Sequence, residues 1–238
     1  MSAPASEAES GLAAFEPRDL PGAEPLEGRL VTVEPIFDDR RFGELFGAFR
    51  ADEAGTIWRW LSAGPFSSEA DFLTYASEVY FRDAHRFYHF IPKATGQSAG
   101  VAALFRADRP NGVIEVGHIC FGPSLQRTPA ATEGLFLIAR YALGALGYRR
   151  LEWKCDNENE PSKRAAERLG FRYEGLFRQH MVVKGRNRNT AWYSILDREW
   201  PALEPAFERW LDPASFDSAG RQRRPLGDLT AEALAAIR

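Results

Sequence analysis

The chain has 238 residues, of which 45% are hydrophobic and 26% are charged, and its formal net charge is −3. These values are typical of a globular protein and exclude a collagen, a coiled coil and a disulfide scaffold. A slightly negative chain lacks the basic excess of a nucleic-acid binder, and no apolar run reaches the ~18 residues of a membrane span. Cys120 and Cys155 lie in apolar runs, which predicts buried reduced thiols, no metal site and a cytoplasmic protein.

Composition divides the chain into three parts. Residues 1–27 are rich in Ala, Glu, Pro and Ser and carry a charge of −5. Such a segment buries little apolar surface, which predicts a mostly mobile acidic tail with some local packing through Leu12 and Phe15. We predict one folded domain over residues 28–199 and a helical extension over residues 200–238. Everything after the tail carries about +2 by subtraction.

The first half of the predicted domain combines one strand, two helices and a strand meander. Residues 28–36 alternate and are rich in β-branched side chains, which predicts a strand. Apolar residues at helical spacing over 42–49, and again over 67–83 behind a serine cap, predict two helices. Three strands joined by short turns then predict an antiparallel meander, over 85–92, 98–107 and 113–122.

The second half contains a strand–loop–helix–strand unit, which implies a parallel strand pair with a right-handed crossover. We expect Thr132 to cap the long helix of this unit and Gly147 to follow its end. The predicted order after the third meander strand is a loop (123–132), a helix (133–147), a strand (149–155), a short helix (159–170) and a final hairpin (171–183 with 190–196).

The loop before the long helix is the first candidate for a binding site. Backbone N–H groups at a helix N-terminus lack intrahelical partners, and the helix dipole adds partial positive charge. Arg127 adds a full charge, so the loop is a candidate anion site. The alternative is a well-capped helix without a ligand.

Four segments in this order resemble the GNAT superfamily of acyl-CoA-dependent N-acyltransferases, and more narrowly its ribosomal-protein-alanine N-acetyltransferase branch. The resemblance spans roughly residues 28–196 and implies an α/β fold. That fold has a mixed, mostly antiparallel central sheet flanked by helices, with a splayed parallel strand pair forming the acyl-CoA cleft. The segments are EVGH (115–118), QRTPAATE (126–133), NEPS (159–162) and LGF (169–171) followed by EG (174–175).

The resemblance implies that loop amides wrap the pyrophosphate of coenzyme A. Pro129 stands where the family has its first loop glycine, and it removes one N–H donor. Either the remaining donors still bind the pyrophosphate, or the site is degraded. Pro129 also leaves open a different function, a non-catalytic module on this fold that binds CoA or another ligand, or that recognises a partner. The implied cofactor-binding residues are Gln126, Arg127, Thr128, Ala130, Ala131 and Thr132 in the loop, Cys120, Phe121 and Gly122 on the preceding strand, and Asn159 and Ser162.

Transfer to an amine needs a base for the amine and a proton for the departing thiolate. The resemblance points to Glu115 as the base, with His118 as a second candidate. Many relatives carry a tyrosine acid where this chain has Ala166, so Ser162 is the substitute. Each has a purely structural alternative: a solvated strand residue, a packed histidine and a helix-start serine.

These features predict an acetyl-CoA-dependent N-acetyltransferase that transfers directly, in a ternary complex, to a protein N-terminus or a small amine. The predicted partners are acetyl-CoA and the acceptor, with no nucleic acid or membrane, and a homodimer is left open. A basic run over 178–188 is either a solvated turn or a contact for an acidic substrate or partner. Candidate acceptor-wall residues are Trp58, Trp60, Tyr88, Trp153 and His180.

Overall fold

One sheet of eight strands runs through the described residues, 15–82 and 85–237 of the computed structural model. The strand order is β1-β2-β3-β4-β5-β6-β8-β7. In chain order the strands are β1 (Leu26–Glu27), β2 (Val31–Pro35), β3 (His85–Pro92), β4 (Gly100–Asp108), β5 (Val113–Phe121), β6 (Arg150–Asp156), β7 (Arg172–Val183) and β8 (Arg186–Leu196).

Helices cover both faces of the sheet. Two short 3-10 turns, Thr56–Trp58 and Pro213–Ser215, and a π-helical turn, Arg140–Ala145, complete the regular structure of the described residues. The α-helices are α1 (Phe42–Arg50), α2 (Glu69–Tyr80), α3 (Pro129–Ala139), α4 (Glu160–Arg168), α5 (Trp200–Leu211) and α6 (Leu226–Ala235).

Strands β5 and β6 run parallel, whereas the other neighbouring pairs of the described sheet are antiparallel. Their pairing extends over three residues only, from Val113 opposite Arg150 to Glu115 opposite Glu152. Beyond Glu115 the two strands diverge, which opens the sheet in its middle. The predicted fold, a mostly antiparallel sheet with a splayed parallel pair, is confirmed.

Side-chain alternation along the strands builds two cores. Phe72 of α2 and Phe87 of β3 belong to the core under α1 and α2. Ile138 of α3 and Leu151 of β6 belong to the larger core on the other face, which α5 and α6 also cover. Glu115 alternates with Ile114 and Val116 of the larger core, so its carboxylate lies on the α1/α2 face of the sheet.

Helix α3 begins four residues earlier than the sequence predicts. Its N-cap is Thr128, whose hydroxyl accepts a bond from the Ala131 amide at 3.1 Å. The prediction that Thr132 caps the helix is therefore wrong. Pro129 occupies the first helical position, where an N–H has no intrahelical partner anyway, so the proline starts the helix at little cost.

The last strand is longer than predicted. The final hairpin turns at Lys184 and Gly185, which have φ of 49° and 72°, so β8 begins at Arg186. Positive φ at both central residues is the geometry that a tight two-residue hairpin turn requires.

The second half of the acidic segment, from Phe15 onward, lies along the folded body. The Arg18 amide donates to the Arg109 carbonyl at 3.1 Å, and the Tyr148 hydroxyl donates to the Asp19 carbonyl at 3.0 Å. The Phe15 ring lies 4.4 Å from the Arg18 guanidinium. Backbone and cation–π contacts thus order a segment with few apolar side chains. Leu12 lies outside the described residues, and the three-part division of the chain stays a prediction.

Candidate active site

A cavity of about 250 Å³ opens where β5 and β6 diverge. Its walls come from β5, β6, the start of α4, the segment between α1 and α2, and the β7–β8 hairpin. The structure brings nine of the predicted site residues together around this cavity: Trp58, Trp60, Glu115, His118, Cys120, Trp153, Asn159, Ser162 and His180.

A β-bulge bends β5 at the cavity. Gly117 lies opposite Ala103 and Cys120 opposite Val101, so two residues of β5 face Ala102 alone. The first of the two, His118, has φ of 51°. A bulge of this kind re-aims the side chains that follow it. Cys120 consequently packs in the α1/α2 core.

Glu115 is a buried carboxylate, 4% exposed, held by two cations. Its Oε2 lies 3.2 Å from Arg106 and 2.9 Å from the Lys154 ammonium. Burial raises the pKa of this carboxyl above its ordinary value, and the charges of Lys154 and Arg106 oppose that rise. No described residue bonds to Oε1, so one oxygen of Glu115 is held and the other is free.

The charges continue along β6 away from the cavity. Lys154 also lies 2.7 Å from Glu152, and Glu152 lies 2.8 Å from Arg150. Arg150 in turn forms a two-pronged pair with Glu174 of β7. The site therefore contains a chain of alternating charges that crosses from β5 to β7.

His118 lies among aromatic rings. Its ring centroid is 5.1 Å from that of Phe87, 4.9 Å from Phe105 and 5.8 Å from His85. Burial lowers the pKa of His118 to about 4, and the nearby positive groups act in the same direction. Its imidazole is therefore neutral at pH 7.

The start of α4 places Ser162 beside β6. Asn159 caps the helix by accepting a bond from the Ser162 amide at 3.2 Å. The indole Nε1 of Trp153 donates to the Ser162 hydroxyl oxygen at 3.0 Å. Capping thus fixes the Ser162 hydroxyl against the cavity wall, and its oxygen already accepts one hydrogen bond.

Tyr88 is a predicted acceptor-wall residue that the structure places elsewhere. It is fully buried in the core under α3, while its neighbour Phe87 faces the α1/α2 side. Successive side chains of a strand point to opposite faces, so the position one residue earlier is the one directed toward His118. Tyr88 does not line the cavity.

The basic run of the hairpin divides between two roles. Lys184 donates to the carbonyls of Trp58 and Gly64 at 2.9 and 2.8 Å, which attaches the hairpin to the segment between α1 and α2. His180 and Arg188 line the cavity, and their side chains bond to the Thr190 hydroxyl. The hairpin thereby forms one side of the cavity mouth.

The predicted phosphate loop lies outside the cavity lining, and much of its bonding is internal. The Thr128 amide donates to the Leu125 carbonyl, and the Thr132 amide donates to the Thr128 carbonyl. Gln126 reaches back to the Phe121 carbonyl at 2.8 Å. The amides of Arg127 and Ala130 take part in none of these bonds.

Gly122 and Arg127 at this loop differ in their bonding. The Gly122 amide donates to the Ala99 carbonyl at 2.9 Å. The exposed Arg127 has φ of 59° and makes no ion pair with a described residue. Arg127 is therefore free to meet an anion at the start of α3.

Several cavity residues escaped the sequence prediction, chiefly Arg106, Lys154, Tyr75, Tyr80 and Phe105. The sequence of β6 contains a signal for Lys154. In RLEWKC, Glu152 and Lys154 interrupt buried residues at every second position. Polar residues on one face of a central strand indicate that this face meets other charges.

Comparison with known proteins agrees with this fold. The acetyltransferase (GNAT) domain matches residues 31–172. The chain belongs to the GNAT acetyltransferase family. As an N-acetyltransferase it is similar to a solved GCN5-related N-acetyltransferase from Brucella melitensis, with 49% identity, a TM-score of 0.89 and coverage of 92% of this chain and 99% of the other.

Two further relatives of this GNAT protein are less similar. A solved GNAT-family structure from Chromobacterium violaceum is 36% identical, with a TM-score of 0.77, and covers 84% of this chain and all of its own (100%). The N-acetyltransferase p20 of Bacillus licheniformis is 26% identical over 60% of this chain and 82% of its own length.

The part of the chain that the structure describes contains neither a membrane-spanning helix nor a cluster of metal ligands. Across residues 15–82 and 85–237, every helix is too short or too polar to cross a lipid bilayer. Within the same residues, no three His, Cys, Asp or Glu side chains converge as metal ligands would. Arg106, Glu115 and Lys154 at the cavity are instead paired with one another.

Proposed function

We propose that this GNAT protein transfers the acetyl group of acetyl-CoA to a primary amine by direct attack within a ternary complex. One observation supports this most strongly: Glu115 lies where β5 and β6 diverge, with Oε2 held by two cations and Oε1 free. A carboxylate that is fixed on one side and open on the other suits a general base for an incoming amine.

The divergence of the strands favours acetyl-CoA as the donor. Past Glu115 the backbone of β5 no longer pairs with β6, so its polar groups are available to the amides of an extended pantetheine arm. The diphosphate belongs at the start of α3, beside Arg127 and the hydroxyl-rich turn that follows. An acetyltransferase of the same fold at 18% identity, MccE, is described in complex with acetyl-CoA and AMP.

The transfer step then involves few residues. The amine nitrogen forms a bond to the thioester carbonyl carbon, the carbon–sulfur bond breaks, and the amine proton passes to Glu115 Oε1. The thiolate needs a proton in return. Ser162 is our candidate donor because its oxygen already accepts a bond from Trp153, and it regains through solvent the proton that Glu115 has taken. His118 is the second candidate base and is neutral at pH 7.

The acceptor is a primary amine on a protein N-terminus or a small molecule. Aromatic side chains of the segment between α1 and α2, Trp58 and Trp60, together with His180, form the wall that we assign to it. A ribosomal acceptor is one option within this class. YdaF of Bacillus subtilis, named as a ribosomal N-acetyltransferase, is 29% identical over 44% of this chain and 57% of its own length.

A turnover assay tests the proposal. The protein is incubated with acetyl-CoA and a panel of amines and N-terminal peptides, and free thiol and acetylated product are followed. We expect saturable thiol release that depends on the acceptor. Titration calorimetry with acetyl-CoA supplies the second measurement: absence of binding at millimolar concentration contradicts the donor, and binding without turnover across the panel favours a non-catalytic module.

Two further predictions concern the oligomeric state and the cellular location. A homodimer through the β7–β8 hairpin is favoured by exposed apolar side chains on β7, among them Phe177 and Val182. Sedimentation at several concentrations checks it.

We propose a cytoplasmic location because both thiols are reduced. Cell fractionation checks this prediction.

A further inference from the structure

Lys154 is a buried cation that the proposed step does not consume. Its side chain is 7% exposed and lies on β6 next to the cavity. The ammonium is 2.9 Å from Glu115 Oε2, 2.7 Å from Glu152 Oε2 and 3.8 Å from the centroid of the Trp192 ring. An ammonium has three N–H donors, so carboxylates and a π face surround it on three sides.

The two carboxylates beside Lys154 differ in their other partners. Glu152 also pairs with Arg150, at 2.8 Å and with both groups mostly buried. The second partner of Glu115 is Arg106, at 3.2 Å, whose side chain is 52% exposed. Since exposure screens a charge, Lys154 is the main buried counter-charge for Glu115, whereas Glu152 has a second one.

We propose that Lys154 is a positioning residue, which holds Oε2 of Glu115 as an anion so that Oε1 faces the cavity. This rests on the proposed function, in which Glu115 accepts the proton of the amine. The absence of a side chain at Gly117 keeps that direction open: a Cβ there would stand 3.5 Å from Glu115 Oε1 and 2.7 Å from the Phe105 ring.

The charged groups that act on Glu115 come from two neighbouring strands. Arg106 of β4 and Lys154 of β6 lower the pKa of Glu115, while Glu152 of β6 and burial raise it. Without Lys154, burial is opposed by Arg106 alone. The pKa of Glu115 then rises, the base is protonated at higher pH, and activity falls on the acid side.

The test compares pH profiles of kcat/KM between pH 5 and 9 for the full chain. For Lys154→Met we expect the acid limb to move upward by about 1–3 pH units, with the KM for acetyl-CoA unchanged. Lys154→Arg keeps the charge and restores most of the wild-type profile. Lys93→Met removes a surface pair with Glu27 and serves as the matched control, with no shift.

Circular dichroism checks whether Lys154→Met folds. If it does not, a second variant that shifts the acid limb in the opposite direction still tests the proposal. Glu152→Gln removes the negative charge that competes for Lys154, so the acid limb moves to lower pH. A wild-type acid limb that Glu115→Gln abolishes but Lys154→Met and Glu152→Gln leave in place overturns the role of Lys154. Full activity of Glu115→Gln overturns the base itself, and with it the proposed function of Glu115.

Discussion

Two buried carboxylates in this GNAT protein are held by different kinds of partner. Glu115 at the cavity and Glu133 in the second turn of α3 are 4% and 5% exposed. Glu133 accepts backbone N–H bonds from Arg29, Leu30 and Val31, at 3.0, 2.6 and 3.0 Å. Glu115 is held by side-chain cations on one oxygen only.

The difference lies in what remains free. Three backbone donors engage both oxygens of Glu133, which attaches the turn before β2 to α3 and leaves no oxygen without a partner. Side-chain cations hold Oε2 of Glu115, and no described residue donates a hydrogen bond to Oε1. A buried carboxylate with backbone partners is thus structural here, whereas one with cationic partners and a free oxygen is suited to take a proton.

Replacing Glu115 gives the largest expected effect. Glu115→Gln keeps the size of the side chain but removes the base, so kcat should fall by about 10²-fold or more. The dissociation constant for acetyl-CoA, measured by calorimetry, should change little. A kcat near the wild-type value across pH 6–9 would contradict Glu115 as the base and favour His118, the second candidate.

Replacing Glu133 should lower the stability of the fold and leave kcat unchanged. Glu133→Ala leaves three backbone donors of the β2 turn without their acceptor, which we expect to cost about 3 kcal/mol or more in the free energy of unfolding. Urea denaturation measures it, with Glu133→Gln as the milder control. The folded fraction should retain its kcat, and a selective loss of kcat would contradict a structural role.

Arg127 tests the donor side of the site. Arg127→Glu places a negative charge where we assign the diphosphate, so the dissociation constant for acetyl-CoA should rise about tenfold, or ~1.4 kcal/mol. Arg209→Glu makes the same reversal on an exposed residue of α5 and should leave binding unchanged. Equal affinities for both variants would remove Arg127 from the site.

Tyr88 gives the smallest expected effect. Its hydroxyl is buried and lacks a hydrogen-bond partner among the described residues. Tyr88→Phe removes that unsatisfied group and should stabilise the fold by about 1 kcal/mol, seen as a higher Tm. The acceptor KM should not change, and a raised KM would show that Tyr88 reaches the substrate after all.

Local patterns were enough to predict most elements of this fold. Alternation and helical spacing depend on neighbouring residues, so the strands and helices are largely where the sequence predicts them. The sequence alone does not fix the start of α3, because Thr128 and Thr132 are equally good caps in isolation and Pro129 departs from the loop pattern of the family. In the structure it is the first residue of the helix.

The motif order in the sequence determined the family, the splayed strand pair and the region of the site, because each depends on short segments in sequence. Only the tertiary structure decided which charges meet there. Glu115 and Lys154 are 39 residues apart in sequence, and their contact depends on the register of β5 against β6. Likewise, the way β3 lies in the sheet places Tyr88 in the larger core and Phe87 on the α1/α2 side.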